Sequence, residues 1–404
     1  MDLKLLYGDD VNVEFYKNRI ENLKNVFFQN EHANADYLFS SSGRAEILGN
    51  HTDHNHGIVM VASINCDVIA AVKKTEDTIV KICSEGYPPV IVDISDLSIK
   101  KDEFSTSNAL VRGISKAITQ KGYNIKGFTA YTTSNIFKGA GVSSSAAFEV
   151  LVAEIFNHLY LNGALTEIDR AIISQYAENV YFNKPCGILD QCGISIGSLV
   201  KLDFINPIKP KITKITPPKN YALVITNTGG NHASLTSYYA SIRSEMEHIA
   251  SYFGKKVLRE ISYESFLNEI HKLKEKFSSR VILRALHYFQ ENQRVLKAEA
   301  CLKENDVKGF LKQVNDSGLS SIGLLQNCYV PGSEHQPVLL GIELSRAIIK
   351  DGACRIHGGG FAGSIIAFVH TSEVDGYIEK MQEAFGKENV YKANIRSVGT
   401  TVIK

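Results

Sequence analysis

The chain has 404 residues, more than one hydrophobic core usually organises, so two domains are expected. Hydrophobic residues make up 44%, charged residues 22%, and the net charge is +1, which is ordinary globular composition with no basic arm of the kind that tracks a nucleic-acid backbone. No apolar run approaches a membrane span, acids follow the first short apolar stretch, and the seven cysteines are scattered without a CxxC pair, so a soluble cytoplasmic protein with reduced thiols and no nucleic-acid or membrane partner is expected.

In chain order, a helix is expected around Glu14 to Asn30. Short strands rich in Val and Ile follow between 37 and 103, at "GIVMVASI", "DVIAAVKK", "TIVKICSE" and "PVIVDISDL". Apolar spacing turns helical from Asn108 to Ile118, "KGFTAYTTS" reads as a strand, "SSAAFEVLVAEIFNHLYL" as a long apolar helix, and Glu167 to Val180 as another. Prolines and lysines between two strands around "INPIKPKITKITPPK" mark a crossing between domains near residue 210, which divides the chain into 1–210 and 211–404. Helices are then expected over Ser237 to Phe253, Glu264 to Lys276, Ser279 to Lys303, Val307 to Ser320 and Pro337 to Lys350, before a strand pair flanking a glycine turn. Strands and helices do not alternate regularly, so the class is α+β.

Four stretches concentrate chemistry. "GNHTDHNHG" holds His51, Asp53, His54 and His56, which suggests either a metal site or a reader of hydroxyl groups. A structural zinc site would need a closed tetrahedral set from one short loop, whereas such ligands usually come in separated pairs, so hydroxyl recognition is preferred. "KGAGVSSSAAFEV" opens an apolar helix with glycines and serines; free N–H groups and the positive end of the helix dipole there suit phosphate, although a serine-capped core helix would read the same. "NKPCGILDQCGISIG" sets Asp190 among apolar residues and glycines, where a carboxylate needs a partner or a purpose. "HGGGFAGSIIAFV" is a glycine turn entering an apolar strand. Together these suggest a phosphoryl-transfer cleft between two domains.

With these stretches in place, the sequence resembles the galactokinases, of the GHMP superfamily that includes homoserine, mevalonate and phosphomevalonate kinases. "GRAEILGNHTDHNHG" is similar to the sugar signature, "KGAGVSSSAA" to the ATP loop and "AENVYFNKPCGILDQ" to the segment with the catalytic acid; "NTGGNHASLTSYYASIRSEME", "RALHYFQENQRV" and "ACRIHGGGFAG" follow in the same order. The resemblance implies a two-domain GHMP kinase fold, with a mixed-sheet N-terminal domain, an α/β C-terminal domain and the active site between them. It also implies ATP-dependent phosphorylation of a sugar at its anomeric hydroxyl, by a monomer or weak homo-oligomer. On this likeness Asp190 is the base, Arg44 holds it ionised and stabilises the transition state, and Asn50, His51, Asp53, Gly187 and Tyr239 contact the sugar. Gly139, Ala140, Gly141, Val142, Ser143, Ser144 and Ser145 would cradle ATP, and Ser145 and Glu178 would hold Mg2+, which prefers hard oxygen ligands. Read singly, Arg44 and Asp190 fit a structural ion pair, Glu178 an exposed helix residue and Ser145 a helix cap.

The sequence departs from the family at Asn50, where a glutamate is usual, at His54 for tyrosine, at Phe137 for proline and at Ala362 for glycine. That glutamate faces C6 of galactose in the family. An amide there removes repulsion against an acidic C6 group, so galacturonate stands beside galactose as an acceptor, with N-acetylgalactosamine a further alternative. A silent sugar sensor of the same fold is the remaining reading. His56 has no family role and is expected to be exposed.

Overall fold

The computed structural model describes residues 3–8, 12–136, 141–230 and 235–403. Helices α1 (Leu3–Tyr7) and α2 (Val13–Glu31) lead into strands β1 (Tyr37–Leu48), β2 (Ile58–Lys74), β3 (Ile79–Ser84) and β4 (Val90–Asp93). Helix α3 (Ser107–Gln120), strand β5 (Phe128–Ser134), helices α4 (Ser144–Tyr160), α5 (Glu167–Tyr176) and α6 (Leu189–Ile196), and strands β6 (Leu199–Asp203) and β7 (Lys211–Ile215) complete the first half. The second half runs β8 (Tyr221–Asn227), α7 (Thr236–Tyr252), α8 (Tyr263–Asn268), α9 (Ile270–Lys276), α10 (Ser279–Lys303), α11 (Val307–Ser320), α12 (Pro337–Ile348), β9 (Gly352–His357), β10 (Ser364–His370), α13 (Val374–Phe385), β11 (Val390–Ala393) and β12 (Thr401–Val402).

The strands form two sheets. The larger has the order β12-β1-β2-β5-β3-β4, mixed because β3 and β5 are parallel, with β6 on β2 and β7 on β6. The smaller is antiparallel, β11-β8-β10-β9. Residues beyond the expected crossing near 210 thus return to the first sheet as β7 and β12. The main apolar core continues from the first sheet, through α3, α4, α10 and α11, onto one face of the second sheet. A second core joins α7 to α10, and a third packs α12 and α13 on the second sheet's other face.

Local sequence explains many boundaries. Asp306 caps α11 by accepting from the Gly309 N–H at 2.9 Å, and Thr166 with Asp169 forms a reciprocal capping box on α5. The bounds expected for α10 and α11 are those observed. Elsewhere tertiary context redraws them. "GIVMVASI" and "DVIAAVKK" are one strand, β2, whose first half pairs with β6 and second half with β5. The join is a bulge: opposite β1 the register jumps from Ser42↔Asp67 to Gly43↔Ile64, and this changes the strand's neighbour. The expected helix from Glu264 to Lys276 breaks at Glu269 into α8 and α9, and that from Glu167 passes into a π-helical turn at Ala177–Tyr181. All seven cysteines are free, and among the described residues no helix is long and apolar enough to cross a membrane.

Asp67 of β2 ties the two ends of the described chain to the first sheet. Its fully buried carboxylate accepts from Tyr7 Oη at 2.8 Å, Ser40 Oγ at 2.5 Å and Arg19 Nη1 at 2.5 Å, with Arg396 Nη1 at 3.7 Å. Removing it takes the carboxylate from buried Arg396 and from half-buried Arg19, so Asp67→Ala is expected to lower stability by about 3–5 kcal/mol, measured by urea unfolding.

Candidate active site

The loop from Gly49 to Ile58 is held by one face of α10. Glu291 accepts from the Gly49 N–H at 3.0 Å, His287 Nε2 meets the Asn50 carbonyl at 3.0 Å, Tyr288 Oη donates to the Asn55 carbonyl at 3.0 Å, and Asn292 accepts from the Ile58 N–H at 2.7 Å. Positions 287, 288, 291 and 292 share one helical face, so "HYFQEN" is a polar comb that satisfies backbone groups of the loop. Burial opposes charge on Glu291, but His287, Arg294, Arg355 and the Ser317 hydroxyl overcome it and hold the carboxyl down to about 2.

Within this loop the ring of His51 donates from Nε2 to the Gly359 carbonyl at 2.8 Å, and burial drops its pKa to about 4, so it is neutral. Asp53 accepts from the Leu189 N–H at 3.3 Å. Its carboxyl is pushed up, first by burial and further by nearby Asp190. A Cβ at Gly187 would lie 1.8 Å from Asp53 Oδ2, so only glycine admits the carboxylate there. His54 Nδ1 meets Asn55 Nδ2 at 3.0 Å, its ring 5.8 Å from that of His51; His56, expected to be exposed, is half-buried.

Asp190 lies in the first turn of α6 and faces Arg44 of β1. Arg44 Nε donates to Asp190 Oδ1 at 2.7 Å, and its Nη1 donates to the Gly141 carbonyl. Ser143, in a left-handed conformation at the start of α4, donates its hydroxyl to the other oxygen of Asp190. Burial alone would raise this carboxyl, but Arg44, Ser143 and Lys184 together hold it below its ordinary value. Its side chain remains 36% exposed while that of Arg44 is 5% exposed, so the acid opens to solvent and its counter-ion backs it from the sheet.

Tyr239 of α7 closes another side. Its hydroxyl donates to the Gly360 carbonyl at 2.8 Å, and a Cβ at Gly359 would meet its ring at 2.8 Å. Asn50 is 1% exposed: its Nδ2 donates to Glu46 Oε1 and to the Gly358 carbonyl, both at 2.8 Å, and its Oδ1 accepts from Asn327 at 2.8 Å. Glu46 in turn takes Arg355 Nη2 at 3.2 Å. The carboxylate missing at position 50 is thus present four residues earlier, bonded to the amide that replaced it.

Glu178, in the π-helical turn, is buried. Its Oε1 accepts from Lys184 Nζ at 2.8 Å, and its Oε2 from Gln191 Nε2 at 2.9 Å and Cys186 Sγ at 3.0 Å. Gln191 also reaches Glu149 Oε2 at 3.1 Å, while Glu149 Oε1 is buried with no hydrogen-bond partner among the described residues. Ser145 is exposed one helical turn before Glu149, so α4 presents hydroxyl and carboxylate on one face, beside Glu178. An exposed hydroxyl at Ser145, the buried Glu178 carboxylate and the orphaned Glu149 oxygen form a hard-oxygen donor set of the kind magnesium prefers.

The structure therefore gathers Arg44, Gly141, Ser143 and Asp190 in one contact, with Asp53 and Gly187 touching beside it. His51 and Tyr239 bond to the glycine turn. Val142 joins Arg44 through its carbonyl, which accepts from the Arg44 N–H at 3.1 Å, and Ser144 is exposed at the start of α4. Gly139, Ala140 and Phe137 lie outside the described residues. Sequence reasoning missed Glu46, Glu149, Lys184, Gln191 and Asn327. Glu149 alone carried a signal, as an acid inside the apolar run "AAFEVLV".

An arginine of a mixed sheet paired with an acid on α6, beside a helix start whose serine bonds that acid, and closed by a glycine turn from a second sheet, defines a small-molecule kinase of the GHMP class, and residues 109–198 match the N-terminal domain of GHMP kinases. Residues 26–74 match the galactokinase galactose-binding signature. A galactokinase from Clostridium tetani (strain Massachusetts / E88) is 30% identical over 364 residues, 88% of this chain and 89% of the relative. One from Actinobacillus pleuropneumoniae is 32% identical over 348 residues, 82% of this chain and 85% of the relative. Among solved structures, Lactococcus lactis galactokinase complexed with galactose is similar at a TM-score of 0.82 and 25% identity, over 95% of this chain and 99% of that one. Methanococcus jannaschii mevalonate kinase shares the fold at 0.62 and 12% identity, over 89% and 98%. The chain belongs to the galactokinase family, kinases that phosphorylate a sugar hydroxyl.

The α10 brace has a measurable pH signature. A carboxyl whose pKa is lowered on folding stabilises the protein above its unfolded pKa and loses that contribution as pH falls through the folded value. Glu291→Gln should therefore cost roughly 3 kcal/mol at neutral pH. The gap to the parental protein should close as pH drops from about 5 towards 2, read by urea unfolding across that range.

Proposed function

We propose that the chain transfers the γ-phosphoryl group of ATP to the anomeric hydroxyl of galactose, giving galactose 1-phosphate and ADP. The observation that carries this reading is the Arg44–Asp190–Ser143 contact: an ionised acid, backed by a buried guanidinium, opening into the cleft beside the helix start suited to phosphate. The sugar oxygen attacks γ-phosphorus as the bond to the ADP oxygen breaks, and the hydroxyl proton passes to Asp190. Such transfer is largely dissociative, so the acid need only orient the hydroxyl and take its proton late, which suits a carboxyl of lowered pKa. Arg44 keeps that carboxyl ionised and adds positive charge near the moving group. Gly139 to Ser145 would follow the polyphosphate, and His51, Asp53, Gly187 and Tyr239 would surround the sugar. Ser145 and Glu178 would hold Mg2+, which when bound neutralises phosphate charge.

The preserved carboxylate favours galactose over galacturonate. Asn50 removes one carboxylate, but Glu46 places a carboxyl 2.8 Å from the amide, its ionisation opposed by burial and favoured by the fully buried Arg355. Asn50 spends its amide on Glu46, Gly358 and Asn327, so it acts on the sugar by shaping the wall between loop and glycine turn. An intact acid, arginine and magnesium-ligand set argues against a silent sensor.

Coupled ADP release over a sugar panel, with and without Mg2+, tests the reading. Galactose should give the highest kcat/KM and galacturonate a value at least tenfold lower, a difference of about 1.4 kcal/mol in transition-state binding. Asp190→Asn should abolish turnover while leaving galactose affinity, measured by calorimetry, within a few-fold of parental. Near-parental turnover of that variant would remove Asp190 from the role of base.

A further inference from the structure

Lys184 sits in "NKPCG", between the π-helical turn and α6, and nothing in the reaction as written requires it. Its backbone N–H donates to the Glu178 carbonyl at 3.1 Å, and its Nζ donates to Glu178 Oε1 at 2.8 Å. The two partners differ in exposure: the lysine side chain is 56% exposed and the glutamate side chain 5%. The opposite oxygen of Glu178 is held by Gln191, itself 1% exposed, and by the Cys186 thiol. One oxygen is therefore fixed from within by neutral donors, and the other is covered by a cation that water reaches.

Resting on the kinase reading, we propose that Lys184 is an exchangeable counter-ion: it occupies Glu178 Oε1 until a divalent cation takes that oxygen, and its displaced ammonium then serves the phosphate oxygens of the nucleotide in the same cleft. A carboxylate oxygen cannot serve an ammonium and a divalent ion together without strong repulsion between the two cations. Of the donors on Glu178 only the lysine is exposed, carries charge and has a long stem, so it is the one that leaves while Gln191 and Cys186 keep the carboxylate aimed. The same ammonium is within electrostatic reach of Asp190 and Tyr239. The orphaned Oε1 of Glu149, whose other oxygen shares Gln191 with Glu178, supplies a further attraction for a cation arriving there. Lys184 is in this sense a positioning residue for the metal and a ligand for phosphate.

The test uses the full-length protein with Lys184→Met and Lys184→Arg. Mn2+ affinity is read by electron paramagnetic resonance without nucleotide, and AMP-PNP affinity by calorimetry at saturating Mn2+. Lys184→Met should bind Mn2+ about tenfold more tightly, because its competitor is gone, and AMP-PNP about tenfold more weakly, because phosphate loses a cation. Lys184→Arg should stay near the parental values for both. A lysine that merely stabilises the fold would lower the melting temperature without tightening Mn2+, so unchanged or weaker Mn2+ binding in Lys184→Met overturns the exchange, as does unchanged AMP-PNP binding. If the parental protein turns over sugar in that case, the kinase reading stands alone; a parental protein that binds neither Mn2+ nor AMP-PNP overturns both.

Discussion

A carboxylate that must stay charged in a partly dry cleft constrains everything around it. Burial pushes Asp190 towards its neutral form, and the guanidinium of Arg44, with the Ser143 hydroxyl and the Lys184 ammonium, reverses that push. Arg44 can be held still because β1 is buried along almost its whole length, with β2 on one side and β12 on the other and α4 and α6 packed across it. Ser143 can reach the acid because it takes a left-handed conformation at the start of α4. Sheet, helix start and acid are thus mutually dependent: an ion pair left without its partner in such a place costs several kcal/mol.

The loop from Gly49 to Ile58 shows the same economy in another form. Its backbone is fastened by α10 through Glu291, His287, Tyr288 and Asn292, so the side chains of His51 and Asp53 can turn to the glycine turn and to α6. The loop also meets the second sheet. Arg355 donates to the Ile47 carbonyl at 3.0 Å, and Asn327 bridges Asn50 and the Gly359 carbonyl. The chain Arg355–Glu46–Asn50–Asn327 is a buried polar network that fixes the glycine turn against the loop, and a network of this kind rewards full satisfaction of its members.

What could be read from the sequence follows the range of the forces involved. Helices α10 and α11 were legible to the residue because their apolar spacing and the Asp306 cap are local. The join in β2 was not, since a bulge is set by pairing across to Ser42 and Gly43. Helix α6 escaped because "LDQCGISI" holds a glycine and two β-branched residues of modest helix propensity, and its burial against α5 and β1 decides its form. Arg44 and Asp190 were legible as family motifs, and their ion pair was a matter of reading 146 positions apart. Asn50 looked like a change of sugar preference; its pairing with Glu46 emerges only from geometry.

Strand β12 makes the arginine-bearing strand an interior one, and Ser41 meets Thr400 in a buried hydroxyl pair 2.9 Å long across 359 positions of chain. Long-range closure of this sort is slow compared with helix formation. During synthesis the helices can therefore assemble early, while the edge of β1 at Phe39 and Ser40 stays open until residues 401 and 402 have been made. That pairing is the final stitch in a long seam.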